Sequence, residues 1–122
     1  MSNYDFFSKW VDSVLKNIKF SKIKALNFNL YEEENTYSIQ LIATEYFNIE
    51  DEDWACYEKY SSGENLCTYS KDEDWIKFQE KCKFYITKYV HEGRYANELQ
   101  KLLAIGVGFV DGDIEFAYLQ EK

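Results

Sequence analysis

The chain has no proline, one methionine, one histidine and one arginine in 122 residues. Without proline there is neither a stiff linker nor a PxxP ligand segment. The single histidine, His91, cannot complete a Cys/His zinc set with Cys56, Cys67 and Cys82, which also lack CxxC spacing. Near a helix end, His91 reads as a solvated or dipole-satisfying residue rather than a catalytic base. Three cysteines are an odd number, which argues against a disulfide framework and leaves a Cys56–Cys67 pair as the one pairing open. Cys82 falls on an apolar helix face and reads as a small core residue. No apolar run approaches the ~20 residues of a membrane helix. Met1 to Phe7 carries Asp5 and lacks the basic start and apolar stretch of an export signal. A cytoplasmic protein with no membrane association is expected.

Catalytic signatures are missing as well. No G-x-S-x-G occurs, and no histidine lies near Cys56 or Cys67 in sequence. Gly106-Val107-Gly108 is too short for a dinucleotide fingerprint and sits in a strand, where it marks a bulge or close packing of a facing aromatic. Asp51-Glu52-Asp53 has the look of a calcium-loop start, but the central glycine position falls at Cys56. Asp111-Gly112-Asp113 reads as a turn. The expectation is therefore a protein that is not an enzyme and carries no cofactor, no metal and no small-molecule substrate.

Bases are scarce where acids crowd. The formal net charge is −8, but thirteen acids between residues 32 and 74 meet only Lys59 and Lys71, so that segment is −11 and the remainder +3. Such a field repels nucleic acid and anionic membrane and attracts cationic surfaces. A solvated acidic face that only aids solubility is the plainer reading. Lys19, Lys22 and Lys24 form a small basic patch, too little for nucleic-acid binding beside the acidic half.

What is abundant is aromatic. Eleven tyrosines, nine phenylalanines and three tryptophans bring the aromatic share to 19%, enough for one large core in a single domain, 1–122. Phe7, Trp10, Val11, Val14, Leu15 and Ile18 recur at three- and four-residue spacing and predict a helix from Asn3 to Ile18, with Ser2 and Asp5 as a capping pair. Two strands follow: one holds Ile23, Phe28 and Leu30, and the other alternates Tyr37, Ile39, Leu41 and Ala43 with polar residues. The short acidic link from Tyr31 to Asn35 makes them an antiparallel hairpin. A third strand near 54–60 and a turn at Ser61-Ser62-Gly63 are open. Ser70 with Glu73 forms a capping box, with Asp72, Glu73 and Asp74 in the first turn of a helix. That helix buries Trp75, Phe78, Cys82, Tyr85, Ile86 and Tyr89 and is capped by Gly93. A shorter helix from Tyr95 to Leu103 precedes a hairpin of 105–109 and 114–118 about Asp111-Gly112. The predicted architecture is α+β: an antiparallel sheet of four or five strands with two or three helices packed on one face.

One segment is left over for function: Tyr46-Phe47-Asn48-Ile49-Glu50-Asp51-Glu52-Asp53-Trp54-Ala55-Cys56-Tyr57. Four consecutive carboxylates repel one another and belong in solvent, yet Phe47, Ile49, Trp54 and Tyr57 prefer burial or a partner. A charged rim beside aromatic anchors suits a steered protein interface. Alternatively, Trp54 packs inward and the acids point out.

The run Tyr37-Ser38-Ile39-Gln40-Leu41-Ile42-Ala43-Thr44, then Phe47, then Asp51-Glu52-Asp53-Trp54-Ala55-Cys56, resembles immunity proteins of bacterial polymorphic-toxin and contact-dependent inhibition systems. The likeness covers about a third of the chain. It implies a protein that binds and neutralises a cognate secreted toxin domain with a basic surface, such as a nuclease. On that reading Glu50, Asp51, Glu52 and Asp53 steer the complex, with Asp72, Glu73 and Asp74 beside them, and Trp54, Tyr57 and Tyr46 anchor it. A non-catalytic scaffold or adaptor and a carboxylate-dependent hydrolase are the alternatives.

Overall fold

In the computed structural model, residues 3–120 are described; Ser2, half of the expected capping pair, lies outside them. The order is α1 (Asn3–Leu15), β1 (Ala25–Glu32), β2 (Thr36–Thr44), β3 (Glu58–Ser61), β4 (Cys67–Ser70), α2 (Trp75–Glu92), α3 (Ala96–Leu99), β5 (Ala104–Phe109) and β6 (Glu115–Leu119). Single 3₁₀ turns cover Phe20–Lys22 and Trp54–Cys56. The fold is α+β. No helix among the described residues is long and apolar enough to cross a membrane.

The strands form one six-stranded mixed sheet in the order β3-β2-β1-β5-β6, with β4 also on the outer edge of β2. That edge is shared: β3 pairs with the Ile42–Thr44 end and β4 with Thr36–Ile39. The registers align three apolar rows across the sheet: Ala43–Leu26–Ile105, Leu41–Phe28–Val107 and Ile39–Leu30–Phe109. All nine side chains enter the main core, where Phe7, Val11 and Leu15 of α1 and Phe78, Cys82 and Ile86 of α2 cover them. Tyr37 extends the core at one end, its ring 4.3 Å from that of Phe78 and its hydroxyl donating to the Glu73 carbonyl at 2.8 Å. The helices clamp each other where the Tyr89 hydroxyl donates to the Asp12 carboxylate. Burial, and then that carboxylate, hold the phenol well above its ordinary pKa.

Several expectations change in detail. β1 and β5 run parallel, so the sheet is mixed and larger than four or five strands. Alternation says which face a residue occupies but nothing of strand direction. β5 arrives after the chain has crossed back along α2, and it is buried at all six positions, as parallel central strands are. α1 stops at Leu15 rather than Ile18, and α3 spans only Ala96–Leu99, because Ala104 already belongs to β5. The two-residue turn at Asp111-Gly112 is a longer connection, closed by Gly112 N–H donating to the Phe109 carbonyl at 2.9 Å.

The start of α2 is also relocated. Ser70 remains in β4, paired with Thr36, and so cannot begin a helix. Asp74 is the N-cap, accepting from Lys77 N–H at 2.9 Å. Asp72 and Glu73 therefore precede the helix instead of lining its first turn. Gly93 does cap α2, but with extended backbone, donating to the Tyr89 carbonyl at 2.7 Å. A side chain there would meet the Tyr89 ring at 2.6 Å, so ring packing requires this glycine, not a left-handed turn. Gly63, at φ +60°, is the one that does need such freedom.

All three cysteines are free, so the Cys56–Cys67 pair does not form. Cys67 and Cys82 are buried and Cys56 is exposed. Burial pushes the Cys67 thiol up to about 11. A thiol-exchange reagent at neutral pH should therefore modify Cys56 rapidly and the other two only after denaturation. Rapid reaction of all three in the folded protein would contradict this packing.

Candidate functional site: the acidic loop after β2

The loop that leaves β2 is tied down by its own polar side chains. Thr44 Oγ1 donates to the Tyr46 carbonyl at 2.7 Å. Asn48 Oδ1 accepts from Glu50 N–H at 3.0 Å, and Asp51 Oδ1 accepts from Asp53 N–H at 2.9 Å. These are two successive Asx turns, the local geometry that short polar side chains favour. Asp51 also accepts from the Tyr46 hydroxyl at 2.9 Å, which raises that phenol's pKa. The second turn leads directly into the 3₁₀ turn on which Trp54 sits.

Trp54 packs inward. It is 2% exposed and forms, with Ala25 and Ala104, a small second core on the sheet face away from the helices. Phe47 meets it edge-on at 5.0 Å, and Phe116 stacks on it at 6.2 Å and 16°. The two alanines and Gly106 leave the room that an indole needs; a Cβ on Gly106 would approach Trp54 Cζ2 to 3.3 Å. Trp54 is thus not available as a partner anchor: it moors the loop. This close packing of a strand glycine against an aromatic is what the Gly-x-Gly spacing predicts.

With Trp54 holding the loop to the sheet, the neighbouring acids face solvent. Glu50, Glu52 and Asp53 are exposed, and Asp51 is half-buried in its bracing role. Among the described residues, no ion pair reaches any of the four. Beside them stand Tyr46 at 40% exposure, Ile49 at 59% and Tyr57 at 57%, the two tyrosine rings edge-to-face at 5.4 Å. Ile49 is the residue that the sequence undervalued. Its signal was an isoleucine lodged between Asn48 and Glu50, outside any strand alternation.

Asp72, Glu73 and Asp74 do not join this cluster. They follow β4, whose Ser70 pairs with Thr36, whereas the acidic loop follows Thr44. Eight residue steps of extended strand separate those ends, about 26 Å. Two of the three are also engaged in structure: Asp74 caps α2, and Glu73 pairs with Lys81 at 2.6 Å. Glu32 at the same end is paired with Lys71 at 2.6 Å.

No protein-family model, curated protein or solved structure gives a significant match to this chain. The site must therefore be read from its own chemistry. It offers unneutralised carboxylates, three exposed apolar side chains and a backbone held by its own hydrogen bonds. That combination suits a preorganised protein-binding surface, because little ordering entropy remains to oppose association.

Proposed function

We propose that this protein is an immunity protein, which binds and neutralises a cognate secreted toxin domain in the cytoplasm of the producing cell. The toxin presents a basic surface, as a nuclease would. Glu50, Glu52 and Asp53 steer the encounter, while Tyr46, Ile49 and Tyr57 supply the apolar contact. The observation that carries the reading is that these acids are exposed and, among the described residues, unpaired with any lysine, in contrast to Glu32 and Glu73. Asp51 is assigned to bracing the loop, and Trp54 to anchoring it. The hydrolase alternative draws on carboxylates converging in a cleft, and this exposed loop lends it no support.

The direct test is co-purification with the product of the adjacent gene, followed by assay of that product's toxicity. A stoichiometric complex without toxicity is expected. The triple variant Glu50→Gln/Glu52→Gln/Asp53→Asn, which spares Asp51, should slow association about ten- to a hundredfold at low ionic strength and flatten its salt dependence. Unchanged association at low salt would remove the steering role.

A further inference from the structure

A basic pocket at the sheet edge carries a separate inference. Between residues 13 and 31 the chain has Lys16, Lys19, Lys22 and Lys24 and no acid. The 3₁₀ turn Phe20–Lys22 starts on Lys19. Lys22 N–H donates to the Lys19 carbonyl across the turn at 2.9 Å, and both lysines border the same cavity. Phe20 fixes the turn to the protein by packing on Tyr95, with ring centroids 5.9 Å apart. Lys59 and Tyr60 come from β3 on the outer edge of the sheet. Lys19, Lys22, Lys59 and Tyr60, together with Ile18 and Ile23, line an open cavity of about 330 Å³.

The charge in this pocket is unbalanced. Lys19, Lys22 and Lys59 have no ion pair among the described residues, and the exposed Glu45 is the one carboxylate in the lining. Three ammonium groups around one cavity favour an entering anion, more so beside an apolar wall. The apolar lining of Ile18, Ile23 and the Tyr60 ring gives such an anion a body to rest on.

We propose that this pocket binds a small organic anion: a phosphate or carboxylate held by Lys19, Lys22 and Lys59, on an apolar ring lying against Ile18, Ile23 and Tyr60. The anion's contacts use none of residues 46–57, so the site stands or falls separately from the toxin-binding reading. The test is an NMR titration of the isotope-labelled protein with phenyl phosphate, benzoate and inorganic phosphate. The aromatic anions should displace the amide signals of residues 17–23 and 59–60, with inorganic phosphate about tenfold weaker for want of the ring. Whichever aromatic anion binds more tightly identifies the head group. The variant Lys19→Gln/Lys22→Gln, at two exposed positions, should weaken binding about tenfold or more. The proposal is overturned if neither aromatic anion moves these signals at millimolar concentration. It is equally overturned if the variant binds as the parent does, or if inorganic phosphate binds as tightly as phenyl phosphate.

Discussion

Replacing Trp54 by alanine should lower the unfolding free energy by about 3–5 kcal/mol, a large share of the stability of a domain of this size. The indole is buried at 2% exposure between Phe47 and Phe116, over Ala25 and Ala104. Those alanines are too small to fill the void, and Phe47 and Phe116 are held by loop and edge-strand backbone, so collapse into the cavity is limited. Urea unfolding measures the loss directly. The effect should reach beyond stability, because the two Asx turns of the acidic loop run straight into the turn that carries Trp54. Amide exchange in residues 46–57 should accelerate in the variant more than exchange in α2. A loss below about 1 kcal/mol would mean that Trp54 does not fill this space.

The second large effect is expected at Gly106. An alanine methyl there would lie 2.4 Å from Asn27 Oδ1 and 2.7 Å from Ile114 Cγ2, besides its approach to Trp54. Asn27 is itself buried, and its side chain is held by donation to Asn29 Oδ1 at 2.6 Å. Asn29 in turn reaches Gln40, so the amide cannot retreat without breaking a chain of hydrogen bonds. Gly106→Ala should cost about 3 kcal/mol, the upper part of the range for overpacking a close-fitted interior. Gly112→Ala is the internal control. Its nearest non-neighbouring atoms would be 3.7 and 3.9 Å away, and its φ is not positive. The change there should be within about 0.5 kcal/mol of neutral. Equal effects at the two positions would show that the crowding at Gly106 is relieved by some movement of its neighbours.

Both predictions concern the sheet face away from the helices, and that face was the less legible one. The helix-covered face could be read in advance. Phe7, Val11 and Leu15, then Phe78, Cys82 and Ile86, follow a helical period, and Tyr37, Ile39 and Leu41 follow a strand period; all of them enter the main core. On the opposite face, Asn27, Asn29 and Gln40 look like solvent positions, and nothing local announces that Trp54 will return from a loop to cover Ala25 and Ala104. In the sequence the indole's direction stays open, because either packing or partner binding satisfies a large apolar ring next to charge. Vacant space above Ala25 of β1 and Ala104 and Gly106 of β5 decides it, and only the assembled sheet creates that space.

The acids divide in the same way. Crowding of negative charge between residues 32 and 74 was evident from composition, as was the solvent exposure of Glu50, Glu52 and Asp53, since adjacent carboxylates repel one another whatever the fold. Grouping them with Asp72, Glu73 and Asp74 was not justified by any local rule. The strand β2 places the two sets at opposite ends, and Lys71 and Lys81 neutralise acids at one end alone.

The sequence alone therefore determined the α+β class, the helix and strand faces of the main core except at Trp75, which is 51% exposed rather than buried, and the location of the exposed charge. Each of these depends on interactions between residues near one another in the chain. The tertiary structure decided the parallel pairing of β1 with β5, the helix cap at Asp74, the inward turn of Trp54 and the separation of the two acidic clusters. Each of those depends on which distant segments meet, and residue spacing within a segment carries no record of that.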